Sequence, residues 1–480
     1  MEKSELKKRT FKALLHNFFD KAGTQVLAFV ISIVLARILE PRDFGLIAMV
    51  NVFIQIANTF VDSGFGTAII QRTKVSKADI SSVFYFNMLV AILLYLVIFL
   101  CAPAISAFYN EPQLVMIARI LGLNLIINAI GSIQLNLMIK NLDYSSQMKA
   151  SMIALTFSGI LGVWLAFEGY GVWAIVFQIT FLNLIKNLCY WFWGKHKWLT
   201  GFSFASLKSM LGFSSKILFA SILDILFNNT YVVIIGKYFS TEQLGFYRRA
   251  RTMQEMPTTL LAKVQKVIFP SLTSFQNDDE KLKSIFRKSL QLTAFLTAPM
   301  MIGLAIIAEP LVQVLLTEKW LPSVPYIRLF CIAGFYFTLS SLIINVLFIK
   351  GNSGIYLKLE IIKKLVMLAI LIPSIQWGIY GIVTGYSLSA VVCHFINVHY
   401  TGKELGYRIK EHLADILPSV VYATVLVGPV WLISELIESN ALKLICQILT
   451  SLVLYIGGTY LLGSRELKAL LALKKMSKAG

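Results

Sequence analysis

The chain reads as an all-α integral membrane protein of about 14 transmembrane helices: two homologous six-helix lobes followed by a C-terminal helical pair. Three observations predict this. Of 480 residues, 57% are hydrophobic and only 14% charged, far from ordinary globular usage. Windows of roughly 20 apolar residues, the length that crosses a hydrocarbon core, recur about 14 times. The pattern also repeats at an offset of about 200 residues.

The elements follow in order. The basic segment with Lys3, Lys7, Lys8, Arg9 and Lys12 precedes a first window near 14–35. That window is too long for a signal peptide and lacks a small-residue cleavage site, so it is expected to remain as the first span. Next comes the polar turn Leu35-Ala36-Arg37-Ile38-Leu39-Glu40-Pro41-Arg42-Asp43-Phe44-Gly45, with Pro41 and Asp43 as turn and N-cap residues. Windows near 44–66, 83–106, 114–138, 150–167 and 171–193 complete the first six. The second six lie near 212–235, 253–275, 288–309, 324–349, 358–375 and 378–400, and the appended pair near 416–436 and 443–463. Glu255, Lys263 and Lys266 interrupt 253–275, but without that span the alternation of basic loops fails downstream.

The net charge of +19 raises the question of a nucleic-acid partner. Its placement answers no: about 27 of the 44 Lys and Arg fall in alternate loops and the tails, about 8 in the other loops and about 9 inside windows. This is the positive-inside pattern of a multi-pass protein with both termini cytoplasmic, and it also favours anionic lipid headgroups. One outer loop breaks it. Lys237, Arg248, Arg249 and Arg251 precede the eighth window, so some are expected to point into the protein. Cys101, Cys189, Cys331, Cys393 and Cys446 are scattered through apolar windows as small hydrophobes, neither disulfides nor metal ligands.

The duplication rests on ordered matches. Ala36-Arg37-Ile38-Leu39 to Phe44-Gly45 pairs with Gly236-Lys237-Tyr238-Phe239 to Leu244-Gly245, Ala102-Pro103 with Glu309-Pro310, Met138-Ile139-Lys140 with Phe348-Ile349-Lys350, and Gly171 to Val176 with Gly378 to Val383. The expected domains are therefore 1–200, 201–402 and 403–480, the last a cytoplasmic connector, the helical pair and a basic tail. An even number of spans per copy sets both copies the same way up, with a cavity between the lobes.

Enzyme motifs are absent. Gly169 to Ala174 formally fits G-x-G-x-x-A, but it is a tight turn between spans with no preceding strand. His394 and His399 are five apart and share no helix face, a poor metal pair. The informative residues are polar ones inside windows, which are expensive unless they face protein or water. Asn51, Gln55, Asn58 and Asp62 make one polar face of the second span. Asn17, Lys21, Thr24, Gln25 and Ser32 cluster in the first, Lys216, Asp224 and Asn228 in the seventh, and Arg251, Glu255, Thr258 or Thr259, and Lys266 in the eighth. Arg119 and Arg328 hold equivalent places in the fourth and tenth, as interface anchors or an anion contact. Lys186, Lys363 and Lys364 read as residues reaching for the inner headgroups. In-span cations outnumber acids, and each costs roughly 3 kcal/mol at the centre of a span. A compensating anion is expected, and phosphate fits.

With the Leu35 to Gly45 turn, the Asp62-Ser63-Gly64-Phe65-Gly66 motif, the duplication and the basic N-terminus in place, the chain resembles the polysaccharide transporters of the multidrug/oligosaccharidyl-lipid/polysaccharide flippase superfamily. It is similar in particular to Wzx-type flippases and to colanic-acid and teichuronic-acid exporters. The resemblance covers essentially the whole chain. It implies two six-helix lobes in a V, alternating access, and outward flipping of an undecaprenyl-diphosphate-linked sugar unit at the bacterial cytoplasmic membrane, with glycan polymerase machinery as a possible partner. Lys21 lies where lipid II flippases of the superfamily carry a basic residue, but the second span has amides and Asp62 in place of clustered arginines, which implies another glycan.

The reading is a non-enzymatic flippase of lipid-linked oligosaccharide. Lys21, Lys216, Arg251 and Lys266 would hold the diphosphate, and Asn51, Gln55, Asn58 and Asp224 would contact sugar or the coupling ion. Asp62, Asp224 and Glu255 are the candidates for a coupling H+ or Na+; no other cofactor is expected. The alternatives are a cation-coupled multidrug exporter, a lipid II flippase, and a scaffold for glycan polymerases without transport of its own.

Overall fold

The computed structural model describes residues 23–468 apart from 63, 74, 195–200, 274, 277, 436 and 465. Among these residues the chain is helical nearly throughout and contains no strand. The helices are α1 (Gly23–Ile38), α2 (Pro41–Asp62), α3 (Phe65–Gln71), α4 (Lys77–Tyr109), α5 (Leu114–Lys140), α6 (Tyr144–Phe167), α7 (Val172–Trp193) and α8 (Phe204–Tyr238). They continue as α9 (Thr241–Thr273), α10 (Asp279–Leu315), α11 (Val324–Ile349), α12 (Ser353–Ser374), α13 (Gly378–Leu405), α14 (Ile409–Val427) and α15 (Asn440–Leu461).

Ten stretches among the described residues are long and apolar enough to cross a membrane. One of them, Gly354–Leu405, contains two expected windows divided by a short tight turn at Ile375–Trp377. α8 and α9, at 35 and 33 residues, are not among the ten. α9 concentrates Arg248, Arg249, Arg251, Glu255, Lys263 and Lys266 on a single helix. It starts at Thr241, so the three arginines that the sequence placed before a span lie within its first turns. Arg249 is buried, its guanidinium 5.8 Å from the centre of the Trp320 ring, as the break in the charge pattern suggested.

Helix starts follow from local chemistry. Ser76 caps α4 in a reciprocal box with Asp79, while Asp143, Ser203 and Asp278 cap α6, α8 and α10. α2 begins with Pro41 at its first position, where a missing N–H costs nothing. Asp43 is therefore not the N-cap expected of it; it sits two residues inside the helix and accepts the Glu40 N–H at 3.1 Å.

The Asp62 to Gly66 motif is a packing device. α2 stops at Asp62, Gly64 turns at φ 71°, and α3 begins at Phe65. A Cβ on Gly64 would stand 2.7 Å from the Ser214 carbonyl oxygen, and one on Gly66 would stand 2.4 Å from the Asn136 amide. The Lys140 ammonium closes α3 by donating to the carbonyls of Ile69 at 2.9 Å, Ile70 and Arg72. A cation at a helix C-terminus takes up its unpaired carbonyls and its dipole.

Both copies of the repeat set an arginine of the next helix against the backbone near a helix proline. Pro103 has no N–H for the Phe99 carbonyl one turn earlier, and the Arg119 Nε donates there at 3.4 Å while stacking 4.2 Å above the Phe99 ring. Arg328 donates to Ala305 at 3.3 Å, one residue from the Ile306 carbonyl that Pro310 frees. Each arginine thus ties its own helix to the one before it, α5 to α4 and α11 to α10.

Two compact units result, Met1–Gly245 and Phe246–Gly480, with the boundary inside α9. Packing and repeat divide the chain differently, because α8, in the second copy by sequence, packs in the first unit against α2, α3 and α4. Within that unit the starts of α2 and α9 touch backbone to backbone. A Cβ on Gly45 would lie 1.9 Å from the Thr241 carbonyl oxygen, and one on Gly245 would lie 1.9 Å from that of Pro41. The contact is reciprocal, as expected where two copies of one motif meet. Glu111 ties it down, accepting from Arg42 at 2.8 Å and from the Thr241 hydroxyl at 2.5 Å.

Candidate functional site

In the first unit, helices α2, α5 and α7 are apolar enough to span, yet each carries amides on the side facing the others. Asn187 donates to the Asn128 side-chain oxygen at 3.1 Å, and Asn128 donates to that of Asn58 at 3.4 Å. A second chain runs beside it: the Lys186 ammonium donates to Asn183 at 3.2 Å, Asn183 to Asn124 at 3.0 Å, and Asn124 to the Thr180 hydroxyl at 3.3 Å. Both chains rest on pairs four residues apart, Asn124 with Asn128 and Asn183 with Asn187, which share a helix face. Gly131 makes room for the first of them, since a Cβ there would fall 1.8 Å from the Asn187 side-chain oxygen.

Lys186 is the residue whose placement departs most from expectation. A headgroup-seeking lysine would reach toward the basic C-terminal end of α7. Instead its ammonium reaches back one turn to Asn183, away from that end, and the side chain is half-buried. Among the described residues it contacts an amide and no carboxylate.

One turn earlier on α2, Gln55 accepts from Asn229 of α8 at 3.1 Å. The sequence pointed to Asn228 on this helix, but Asn228 and Asp224 are exposed, while the neighbouring Asn229 is buried and bonded. Asn51 is half-buried and Asp62 is exposed at the end of α2. Lys21 lies outside the described residues, as do the side chains of Lys216 and Lys266.

In the second unit, Arg251 and Glu255, assigned separate roles from the sequence, form an ion pair at 2.8 Å one turn apart. The guanidinium also lies 5.5 Å from the centre of the Tyr386 ring on α13. Farther along, Asp415 of α14 receives Arg287 Nε and Nη2 at 2.8 Å each, Gln291 at 2.7 Å and the Tyr407 hydroxyl at 2.7 Å. His394 pairs with His412, not with His399. No group of three or more His, Cys, Asp and Glu able to hold a metal occurs among the described residues.

Sequence reasoning missed Asn124, Asn128, Asn183, Asn187 and Asn229. The four-residue spacing of the first two pairs, inside windows otherwise apolar, was the signal available.

Known proteins share this architecture. The lipid II flippase MurJ in an inward closed conformation aligns over 94% of this chain and 100% of its own, with a TM-score of 0.71 at 16% identity. An inward-facing multidrug resistance transporter of the MATE family aligns over 80% of this chain and 94% of its own, with a TM-score of 0.63 at 14% identity. Such identities show a common fold. Among sequence relatives, the lipopolysaccharide biosynthesis protein WzxC of Escherichia coli (strain K12) is 26% identical over 392 residues, 80% of this chain and 79% of that one. The teichuronic acid biosynthesis protein TuaB of Bacillus subtilis (strain 168) is 25% identical over 376 residues, 77% and 76% of the two chains. A family model described as polysaccharide biosynthesis protein matches residues 34–325, well over half the chain, and the chain belongs to that family.

Proposed function

We propose that this protein flips oligosaccharide units linked to undecaprenyl diphosphate from the inner to the outer leaflet of a bacterial cytoplasmic membrane, for surface polysaccharide assembly. The observation that carries the reading is Lys186, a cation within a span that meets amides and no carboxylate among the described residues. Such a charge calls for an anion, and a diphosphate supplies one through charge-assisted hydrogen bonds. Lys21, Lys216, Arg251 and Lys266 would extend the same service, with Glu255 yielding Arg251 when phosphate arrives. Asn51, Gln55 and Asn58 offer amide donors and acceptors to sugar hydroxyls. Asp62, Asp224 and Glu255 would be the carboxylates to take a coupling H+ or Na+.

The direction follows from electrostatics. About 2.3 kcal/mol per charge per 100 mV favours an anion leaving an inside-negative cell, several kcal/mol for a diphosphate. The reading is tested in vesicles that hold the purified protein and a fluorescent lipid-linked oligosaccharide, using a membrane-impermeant quencher. Protein-dependent exposure of the label supports it. Equal exposure in protein-free vesicles, with protein-dependent efflux of a cationic dye, would replace it with the drug-exporter reading.

A further inference from the structure

The strongest feature outside the amide face is a pair of histidines buried between α13 and α14. His394 and His412 are both 0% exposed, and their Nε2 atoms face each other at 2.8 Å. Only one proton fits between them. His394 Nδ1 lies 2.9 Å from the Ser340 hydroxyl of α11. His412 Nδ1 is buried with no hydrogen-bond partner among the described residues. A bare acceptor is the cheaper orphan in such a place than an N–H. That fixes the tautomers: His412 Nε2–H donates to His394 Nε2, and His394 Nδ1–H donates to Ser340.

Neither imidazole accepts a further proton where it stands. At His412 Nδ1 it would create a buried cation whose N–H nothing accepts. At His394 Nε2 it would set two N–H groups against each other across 2.8 Å. The charged groups around the pair are engaged with one another. Asp415 on α14 already accepts four hydrogen bonds from Arg287 and Gln291 of α10 and from Tyr407, about the capacity of one carboxylate. Glu411 is held by Lys283 of α10. On α12, Glu360 is paired with Lys363. α11 presents the Tyr336 ring, 5.1 Å from His394, and α15 directs the Tyr455 hydroxyl to the Phe295 carbonyl of α10.

We propose that His394 and His412 form a proton-operated latch between α13 and α14. The neutral pair holds the two helices together, and proton uptake requires that they part and admit water. In water an imidazole titrates near about 6.5, so the parted form binds protons the closed form refuses. The closed contact is therefore fully present above that pH and is lost as the pH falls below it, by roughly tenfold per unit for each proton taken up. The latch does not depend on the substrate, and its test reads no transport.

The test is electron paramagnetic distance measurement on the full chain in lipid nanodiscs. Spin labels replace Leu388 on α13 and Val421 on α14, both exposed, and the five native cysteines are exchanged for alanine. The expected result is a longer-distance population that grows between pH 8 and pH 5 with a midpoint near 6. It should be weaker in His394→Asn and in His412→Asn, absent when both are changed, and kept in Asp415→Asn. A distance in the otherwise unaltered chain that is the same at both pH values overturns the latch, even if no variant accumulates. So does a shift that survives when both histidines are changed, or one lost only in Asp415→Asn.

Discussion

The two units accommodate polar groups on their long helices with different chemistry. In the first, neutral amides pair across α2, α5 and α7, and the one cation among them, Lys186, rests on an amide. In the second, charges are matched where they stand, Arg251 with Glu255 and Arg287 with Asp415. The contrast reaches single positions of the repeat. Asn187 over Gly131 in the first copy corresponds to His394 bonded to Ser340 in the second, offsets of 207 and 209 residues. The same site is filled by an amide in one copy and by a titratable ring in the other. On the proposed reading the amide face around Lys186 and the Arg251 side chain meet an anionic guest, whereas the Arg287–Asp415 pair supports the fold.

If that division holds, removing a charge from the second unit costs stability more than removing an amide from the first. Asp415→Asn has the largest expected effect. Breaking a buried pair costs about 3–5 kcal/mol, and because the Arg287 side chain is 37% exposed the expected loss is nearer 2–3 kcal/mol. Thermal unfolding of the purified protein would register it, and an unchanged midpoint would remove the distinction. Gly131→Ala comes next. Its Cβ needs the space of the Asn187 side-chain oxygen, and overpacking of this kind costs about 1–3 kcal/mol. Smaller again is the Asn128–Asn187 hydrogen bond, about 0.6 kcal/mol by double-mutant cycle with leucine at each position. A coupling above 2 kcal/mol would mean that the amides are structural cement and not a site.

The smallest effect tests what the two copies share. Pro103→Ala returns an N–H to the Phe99 carbonyl, so Arg119→Ala should be milder in that background than alone, by about 0.5 kcal/mol. Additive losses would show that Arg119 acts through its stacking on Phe99 alone.

The sequence displayed the helical spans, the repeat and the polar stripe of α2, because a lipid solvent makes apolar length and periodicity nearly the whole signal. It also flagged Arg249 through a misplaced charge. What stayed hidden depended on partners distant in the chain. Asn128 and Asn187 stand 59 residues apart and His394 and His412 stand 18 apart, and no local pattern joins them. Asn228 looked like the continuation of a stripe that Asn229 carries, since helix rotation cannot be read to within one residue when neither neighbour is apolar. The Asp62 to Gly66 motif marked the family without revealing why; the closeness of Ser214 and Asn136 to its glycines supplies the reason.

The central claim is that the Lys186 ammonium, held by Asn183 among the amides, receives the diphosphate. Binding of undecaprenyl diphosphate to the purified protein in nanodiscs measures this directly, with Lys186→Gln beside Lys186→Arg. A hydrogen bond to a charged group is worth about 1.5–3 kcal/mol, so the glutamine variant should bind about 10- to 150-fold more weakly while arginine restores most of the affinity. Equal affinity in the glutamine variant and the unaltered protein would contradict the assignment.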